Sequence, residues 1–452
     1  MKSSRLLLIV VLFFYLPGIM YSCKNNTQHT LSANVETDPG TSVTDSLKTL
    51  KPAPEELKKF SWPAFHGKDR QNKSTETGLA KSWPQGGPAK LLTVTGLGEG
   101  YSSVSIAEGM IFTSGTSDNQ TYVFAFDLDG KLIWKKPNGT TWKVEVSWAK
   151  GYDGPRSTPT YDNGIVYHQS EMNKLTAYKA TNGEIVWSRD LMKEFEAEMP
   201  MYGFSESVLV EGDKLYVKTA GKKGYQVCLN KTTGATIWVN NEIQGAYGYN
   251  SPVSHDFGGY HQLISANSDA YLGVDAETGK QLWKVDFTNQ YNLNCTDAVA
   301  VDDHVFISNG AGGGSMLIKL VSSGKTITPQ TVWETDLMDN YHGGIIYHNG
   351  YFYGSGDRSR GWFALDMKTG KQMWKSSGGM GSLTYADEML YLYDEKGSVK
   401  LVKASPDKFE ITGEFKLPGG KGPYWAHPVV CGGRLYLRHA DNLYVYDVSE
   451  SK

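Results

Sequence analysis

Charge of either sign is scarce in this chain. Lys and Arg number 45 and Asp and Glu 48, together 21% of 452 residues, for a formal net charge of −3. With no basic surplus there is nothing to neutralise a phosphate backbone, so a nucleic-acid partner is set aside. Cysteine is also sparse, with four residues and no CxxC, which excludes a zinc ribbon and a redox motif. Cys228, Cys295 and Cys431 stand far apart and odd in number, and buried free thiols are expected. The longest apolar run, residues 6–20, falls short of the ~20 residues a spanning helix needs. No Gly-x-Ser-x-Gly elbow occurs. NGAGGGS (309–315) lacks the third glycine of a dinucleotide loop, and His255 and His261 flank a Gly-Gly turn with no further nearby ligand.

What is present in excess is Gly (50), Tyr (27) and Trp (12). Length alone would suggest about three domains. Glycine and aromatics with few charges instead suit many short strands joined by tight turns.

Residues 1–22 read as a signal peptide: basic Lys2 and Arg5, an apolar run, then Ser22 before Cys23. A cysteine there resembles a lipoprotein lipobox, with Met20 departing from the usual Leu, and makes Cys23 the lipidation candidate; plain secretion is the alternative. Residues 23–60 have tether composition, too polar to fold alone. By resemblance to lipoprotein sorting, Lys24 carries no inner-membrane retention signal, which favours the outer membrane, on either its periplasmic or its surface face. The expected contact with the membrane is the lipid anchor only.

From residue 90 onward the chain repeats itself. The closing segments are AFDLDGKLIW (125–134), YKATNGEIVW (178–187), LNKTTGATIW (229–238), VDAETGKQLW (274–283) and LDMKTGKQMW (365–374). Trp333 and Phe415 close two more units without the Thr-Gly turn at its usual place. Successive closings lie 41 to 53 residues apart, the length of four short strands. Thr-Gly or Asn-Gly supplies the positive φ of a tight hairpin, and Trp can fill the wedge between sheets. Eight triples of strands begin near Ser103, Thr158, Ser207, Ser251, Asp297, Gly344, Ser382 and His427. The last has no fourth strand after it, while LLTV (91–94) has no triple before it. Pairing these two closes a ring and removes exposed edges. The expectation is an all-β, eight-bladed propeller of four-stranded antiparallel blades over residues 61–448, closed by an N-terminal strand and monomeric.

The Asp-x-x-Thr-Gly-x-x-x-Trp element resembles the repeat of pyrroloquinoline-quinone (PQQ) type propellers, which include quinoprotein alcohol dehydrogenases and the BamB-like outer-membrane assembly lipoproteins. WPAFHGKDR (62–70), DGPRSTPT (153–160), YHGGIIYHNGYFYGSGD (341–357) and GPYWAHPVV (422–430) extend the resemblance toward PQQ-like repeat lipoproteins. It fixes a fold and leaves function open, because the fold hosts unrelated activities.

Aligned on the second strands, the eight entrances form a ring of small polar residues, as expected where strands crowd an axis. Arg156, His342, Trp425 and His427 depart from that pattern, with Tyr101 and Tyr249 as aromatic walls. Together they suggest a central funnel for a small-molecule, carbohydrate or anionic ligand. The alternative is that Arg156 and His427 satisfy carbonyls at blade junctions. The quinoprotein resemblance implies PQQ with calcium, held by a Glu and an Asn with an Asp as base; Glu206, Asn250 and Asp297 are the weak metal candidates, and the vicinal Cys-Cys of those enzymes is missing. No cofactor and no catalytic residue is expected otherwise. The leading reading is a non-enzymatic binding or scaffold propeller for envelope proteins, resembling an outer-membrane assembly factor. A carbohydrate- or small-ligand-binding enzyme is the alternative, and a PQQ-dependent dehydrogenase the third.

Overall fold

The computed structural model describes residues 54–144 and 152–450. The signal segment, Cys23 and most of the tether lie outside these. Residues 54–60 lie within them and carry a single helical turn, Pro54–Leu57, with Leu57 buried beside Gly432.

Eight antiparallel sheets succeed one another as blades, each an inner strand, two middle strands and an outer one. Blade 1 runs Ser105–Ala107, Met110–Ser117, Gln120–Asp127 and Leu132–Thr140. Blade 8 takes Val429–Cys431, Arg434–His439 and Asn442–Asp447 from the C-terminus and its outer strand, Lys90–Val94, from the N-terminus. In that pair Leu92 opposes Val445 and Val94 opposes Leu443, so ring closure is as expected from the unpaired LLTV. Six of the inner strands begin two residues after the expected starts, because the entrance segment keeps an irregular path before pairing; those of blades 6 and 7 begin within one residue of them, at Ile345 and Gly381.

The apolar core lies between blades. Each of eight buried clusters joins neighbours: Met110, Phe112 and Trp134 of blade 1 pack on Val166 and Tyr178 of blade 2, and the pattern continues around to blades 8 and 1. The closing tryptophans are the keys of these wedges. Nε1 of Trp134, Trp187, Trp238, Trp333 and Trp374 donates to the carbonyls of Ala180, Lys231, Ala276, Met367 and Ser405, each in the outer turn of the next blade, at 2.7–3.0 Å. Trp283 faces blade 5, which has the long hairpin Gly314–Ser323 and Thr326–Thr335 in place of that turn. It bonds Gln262 Oε1 of its own blade at 2.7 Å.

The turn glycine therefore does more than accept a positive φ. At Gly279 (φ +75°) a Cβ would stand 2.6 Å from the Trp238 ring, so only glycine lets the indole lie flat on the turn.

The eight entrances are laced by hydrogen bonds between blades. The amide of Ser103 donates to Thr158 Oγ1 (3.1 Å), that of Thr158 to Ser207 Oγ (2.9 Å), that of Ser207 to Ser251 Oγ (3.0 Å), and that of Ser251 to Asp297 Oδ1 (2.6 Å). Ser103 Oγ in turn donates to the His427 carbonyl at 2.7 Å. The small polar residues are thus inter-blade ties as well as space-savers.

A feature not expected from the repeats is a strap, residues 61–76, laid across the axis. Trp62 pairs with Ile106 of blade 1, and the Pro63 carbonyl accepts from Tyr161 of blade 2. The Arg70 guanidinium donates to the carbonyls of Ser207 (2.8 Å), Val208 and Pro252 (3.1 Å) in blades 3 and 4. Asn72 bonds Leu383 and Thr384, and Lys73–Ser74 adds a parallel fifth strand to blade 7. Glu76 accepts the amides of Gly432 and Gly433 in blade 8. His66, Arg70 and Asn72 all have positive φ, a costly backbone that these partners hold in place.

Replacing Gly279 by Ala should cost more than replacing Gly259, which has a similar φ (+81°) but open space around it. The expectation is about 1–2 kcal/mol of backbone strain at both sites and a further ~1–3 kcal/mol of overpacking at Gly279 only. Urea unfolding followed by tryptophan fluorescence measures the difference.

Candidate functional site

The six funnel residues proposed from sequence meet in one place. Tyr101, Arg156, Tyr249, His342, Trp425 and His427 all line a single cavity of about 310 Å³ on the axis. Each sits in the entrance segment before an inner strand, which is why residues far apart in the chain converge. Phe65, Tyr152, Tyr202, Tyr341, Cys295 and Asp297 complete most of the wall. Tyr152 and Tyr341 neighbour motifs already singled out. Phe65 comes from the strap, and no repeat pattern could have brought it to the axis.

The walls are aromatic. Trp425 is the hub, with ring centroids 4.9 Å from Tyr101, 5.0 Å from Tyr152 and 5.4 Å from His342. Its Nε1 donates to Glu395 Oε1 at 2.5 Å, which fixes the indole plane. The Arg156 guanidinium lies over Tyr101 (5.2 Å) and Tyr202 (5.9 Å). It also donates to the carbonyls of Gly154, Tyr202 and Tyr152 at 2.8–3.2 Å. Arg156 thus satisfies junction carbonyls while facing the cavity. Among the described residues no carboxylate lies within ion-pair distance of it. Burial lowers its pKa and pushes the Tyr101 phenol up to about 12.

The floor is a histidine relay. His427 Nε2 lies 2.7 Å from the His342 carbonyl, which can only accept, so the proton sits on Nε2. His427 Nδ1 then accepts from His66 Nε2 at 2.9 Å, and His66 Nδ1 lies 3.3 Å from Asp297 Oδ2. Gly344 occupies the ring position here because a Cβ would approach His66 Nε2 to 3.2 Å. Burial, with Arg156 adding to it, lowers His342 to about 4, and burial beside His66 holds His427 well below its usual value. Both rings are neutral at pH 7.

Cys295 departs from the expectation of buried thiols. Cys228 and Cys431 are buried, whereas Cys295 is partly exposed in the cavity wall, because its entrance position faces the axis. Burial raises the Cys295 thiol to about 12, so it is a thiol and no nucleophile.

The residues weighed for calcium do not fit it. The Glu206 carboxylate accepts the Lys218 amide at 3.2 Å, and the Lys218 ammonium bonds Asn250 Oδ1 at 2.8 Å. Asp297 is turned instead toward Ser251 and His66. The oxygens of Glu206 and Asn250 are engaged by a cation the chain itself supplies, and no step is derived through a quinone there.

An eight-bladed ring of this repeat defines a PQQ-like β-propeller. Residues 119–376 match the family described as outer membrane protein assembly factor BamB, and the chain belongs to that family. It is 25% identical over 174 residues to BamB of Salmonella typhimurium (38% of each chain) and 23% identical over 214 residues to BamB of Escherichia coli (46% of this chain, 47% of that one). It is 26% identical over 156 residues to quinohemoprotein alcohol dehydrogenase ADH IIB of Pseudomonas putida (32% and 22%). The chain spans less than half the length of these curated relatives. Among solved structures, BamB from Moraxella catarrhalis superposes with TM-score 0.53 at 16% identity (76% and 94% covered). The quinohemoprotein alcohol dehydrogenase ADHIIG from Pseudomonas putida gives 0.59 at 14% (88% and 81%). These likenesses establish the fold.

The histidines set a pH dependence. The folded pKa of His342 (about 4) lies below the unfolded value of ~6.5. The unfolded chain therefore binds more protons between those values, and the contribution is fully present above pH ~6.5 and lost as pH falls toward 4. Urea midpoints should drop across this window, and drop less in His342→Gln than in the wild type.

Proposed function

We propose that this chain is a binding propeller of the bacterial cell envelope, exported by residues 1–22, lipidated at Cys23 and tethered to the outer membrane by residues 23–60. Its partners are envelope proteins, in keeping with relatives named as outer membrane protein assembly factors. The observation that carries a binding rather than a catalytic reading is the state of the cavity's reactive groups. Its two histidines, His342 and His427, are held neutral and its thiol is held protonated, while Glu206 and Asn250, outside its wall, are engaged by Lys218. What the cavity offers is recognition: stacking faces, one guanidinium and one carboxylate. In-cell crosslinking followed by purification should recover a stoichiometric envelope protein. Recovery of the propeller alone, from cells in which it is anchored and folded, would overturn the scaffold reading.

A second reading is favoured by the cavity itself. At about 310 Å³ it lies at the small end of ligand sites and matches a compact carbohydrate or small ring ligand with one polar or anionic edge. Such a ligand would stack on Trp425 and Tyr101 and meet Arg156 at its edge. Screening mono- and disaccharides and small carboxylates by thermal shift should give a stabiliser whose effect falls at least tenfold in apparent affinity in Arg156→Ala and in Trp425→Ala. A stabiliser indifferent to both substitutions places its site elsewhere.

A further inference from the structure

We infer that the Lys218 ammonium is a built-in cation: it fills an oxygen cage between blades 3 and 4 that would otherwise take a hard divalent or trivalent metal ion, and so keeps the propeller closed to such ions.

Lys218 lies on the second strand of blade 3, Lys214–Gly221, and its side chain is fully buried. The three N–H groups of its ammonium have three close acceptors: the Gly248 carbonyl (2.6 Å), the Asn250 carbonyl (2.6 Å) and Asn250 Oδ1 (2.8 Å). The Ala266 carbonyl follows at 3.4 Å and Glu206 Oε2 at 3.8 Å. Carboxylate, amide and carbonyl oxygens are the ligand types of a Ca²⁺-like ion, which takes 6–8 oxygens at 2.3–2.6 Å. The five here would need Glu206 to shift by about an ångström and water to fill the remaining positions.

Comparison with other blades shows that the lysine does more than satisfy a neighbour. Two residues beyond the residue facing the inner strand (Phe112, Tyr216, Phe306), blades 1 and 5 carry Ser114 and Ser308 where blade 3 has Lys218. Their hydroxyls donate to the Ser157 and Met338 carbonyls, at 2.9 and 2.7 Å. A serine suffices to tie those two blades to their neighbours, while blade 2 carries Gln169 at this position and blade 8 carries Arg438, whose guanidinium donates to the Ser114 carbonyl of blade 1. In blade 3 this position lies against the buried Glu206 carboxylate and a cluster of inward carbonyls, which together call for positive charge. A fixed ammonium supplies it with no dependence on metal supply. Arg70, also buried near Glu206, weakens the cage for a second positive charge and sets the expected affinity of the emptied site at the weak end, on the order of 10⁻⁴ M.

Tb³⁺ is the probe, because the Tyr247 ring lies 5.1 Å from Lys218 Nζ and can sensitise its emission. In Lys218→Ala, tyrosine-excited Tb³⁺ emission should exceed that of the wild type at least tenfold, compete with Ca²⁺, and fall back in Lys218→Ala/Glu206→Gln. Equal emission from the wild type overturns the inference, as does a folded Lys218→Ala protein with no Ca²⁺- or Tb³⁺-dependent thermal shift. If Lys218→Ala does not fold unaided, recovery of folded protein only with Ca²⁺ present supports the cage. Failure with and without Ca²⁺, while the charge-neutral Lys218→Met/Glu206→Gln protein folds, overturns it.

Discussion

Eight inner strands set around an axis cannot meet at its centre, and the backbone groups they turn inward must find partners or water. The rest of the molecule follows from how this constraint is met. Entrance hydroxyls, and at blade 5 the Asp297 carboxylate, take the amides of the preceding blade from Ser103 to Ser251. At blade 6 the ring position is Gly344, which has no side chain to pass the pattern on. The strap enters there, and His66 sits where a side chain would have been. One segment thus completes the ring of ties and provides the cavity's floor through His66, His427 and Asp297.

The same economy shapes the charges. Arg70, Lys218, Glu206 and Asp297 are buried close together, two cations and two anions, at an axis where solvent is scarce. Each cation is spent mainly on carbonyl oxygens and each anion on backbone amides. Buried charge of this kind is weak evidence for stability and better evidence for specificity of arrangement. Here it fixes which blades stand beside the strap.

The blade count, the closure by residues 91–94 and the role of the tryptophans were legible in the sequence because the repeat is periodic and its turn chemistry local. The six funnel residues were legible for the same reason: they break a pattern that the repeats define. The strap was not, since WPAFHGKDR occurs once and its partners lie in six different blades, from Ile106 to His427. The surroundings of the weak metal candidates were also not legible. Glu206 and Asn250 are entrance residues, whereas the lysine that binds them comes from a second strand, at a position that changes from blade to blade: Ser114, Gln169, Ser308 and Arg438 stand there in blades 1, 2, 5 and 8. Pair geometry between different strands of different blades leaves no mark in a linear spacing.

The closing pair of blade 8 has a consequence in time. Lys90–Val94 is synthesised long before the strand it awaits, Asn442–Asp447. At ~5–20 residues per second, more than 300 residues of intervening chain take on the order of 20–70 s to appear. Throughout that interval Lys90–Val94 lacks its native strand partner, and Glu76 cannot reach blade 8 until Gly432 and Gly433 are made. Closure therefore waits for Asn442–Asp447. A nascent or C-terminally clipped chain would hold seven complete blades' worth of sequence and still present both raw edges of an open ring.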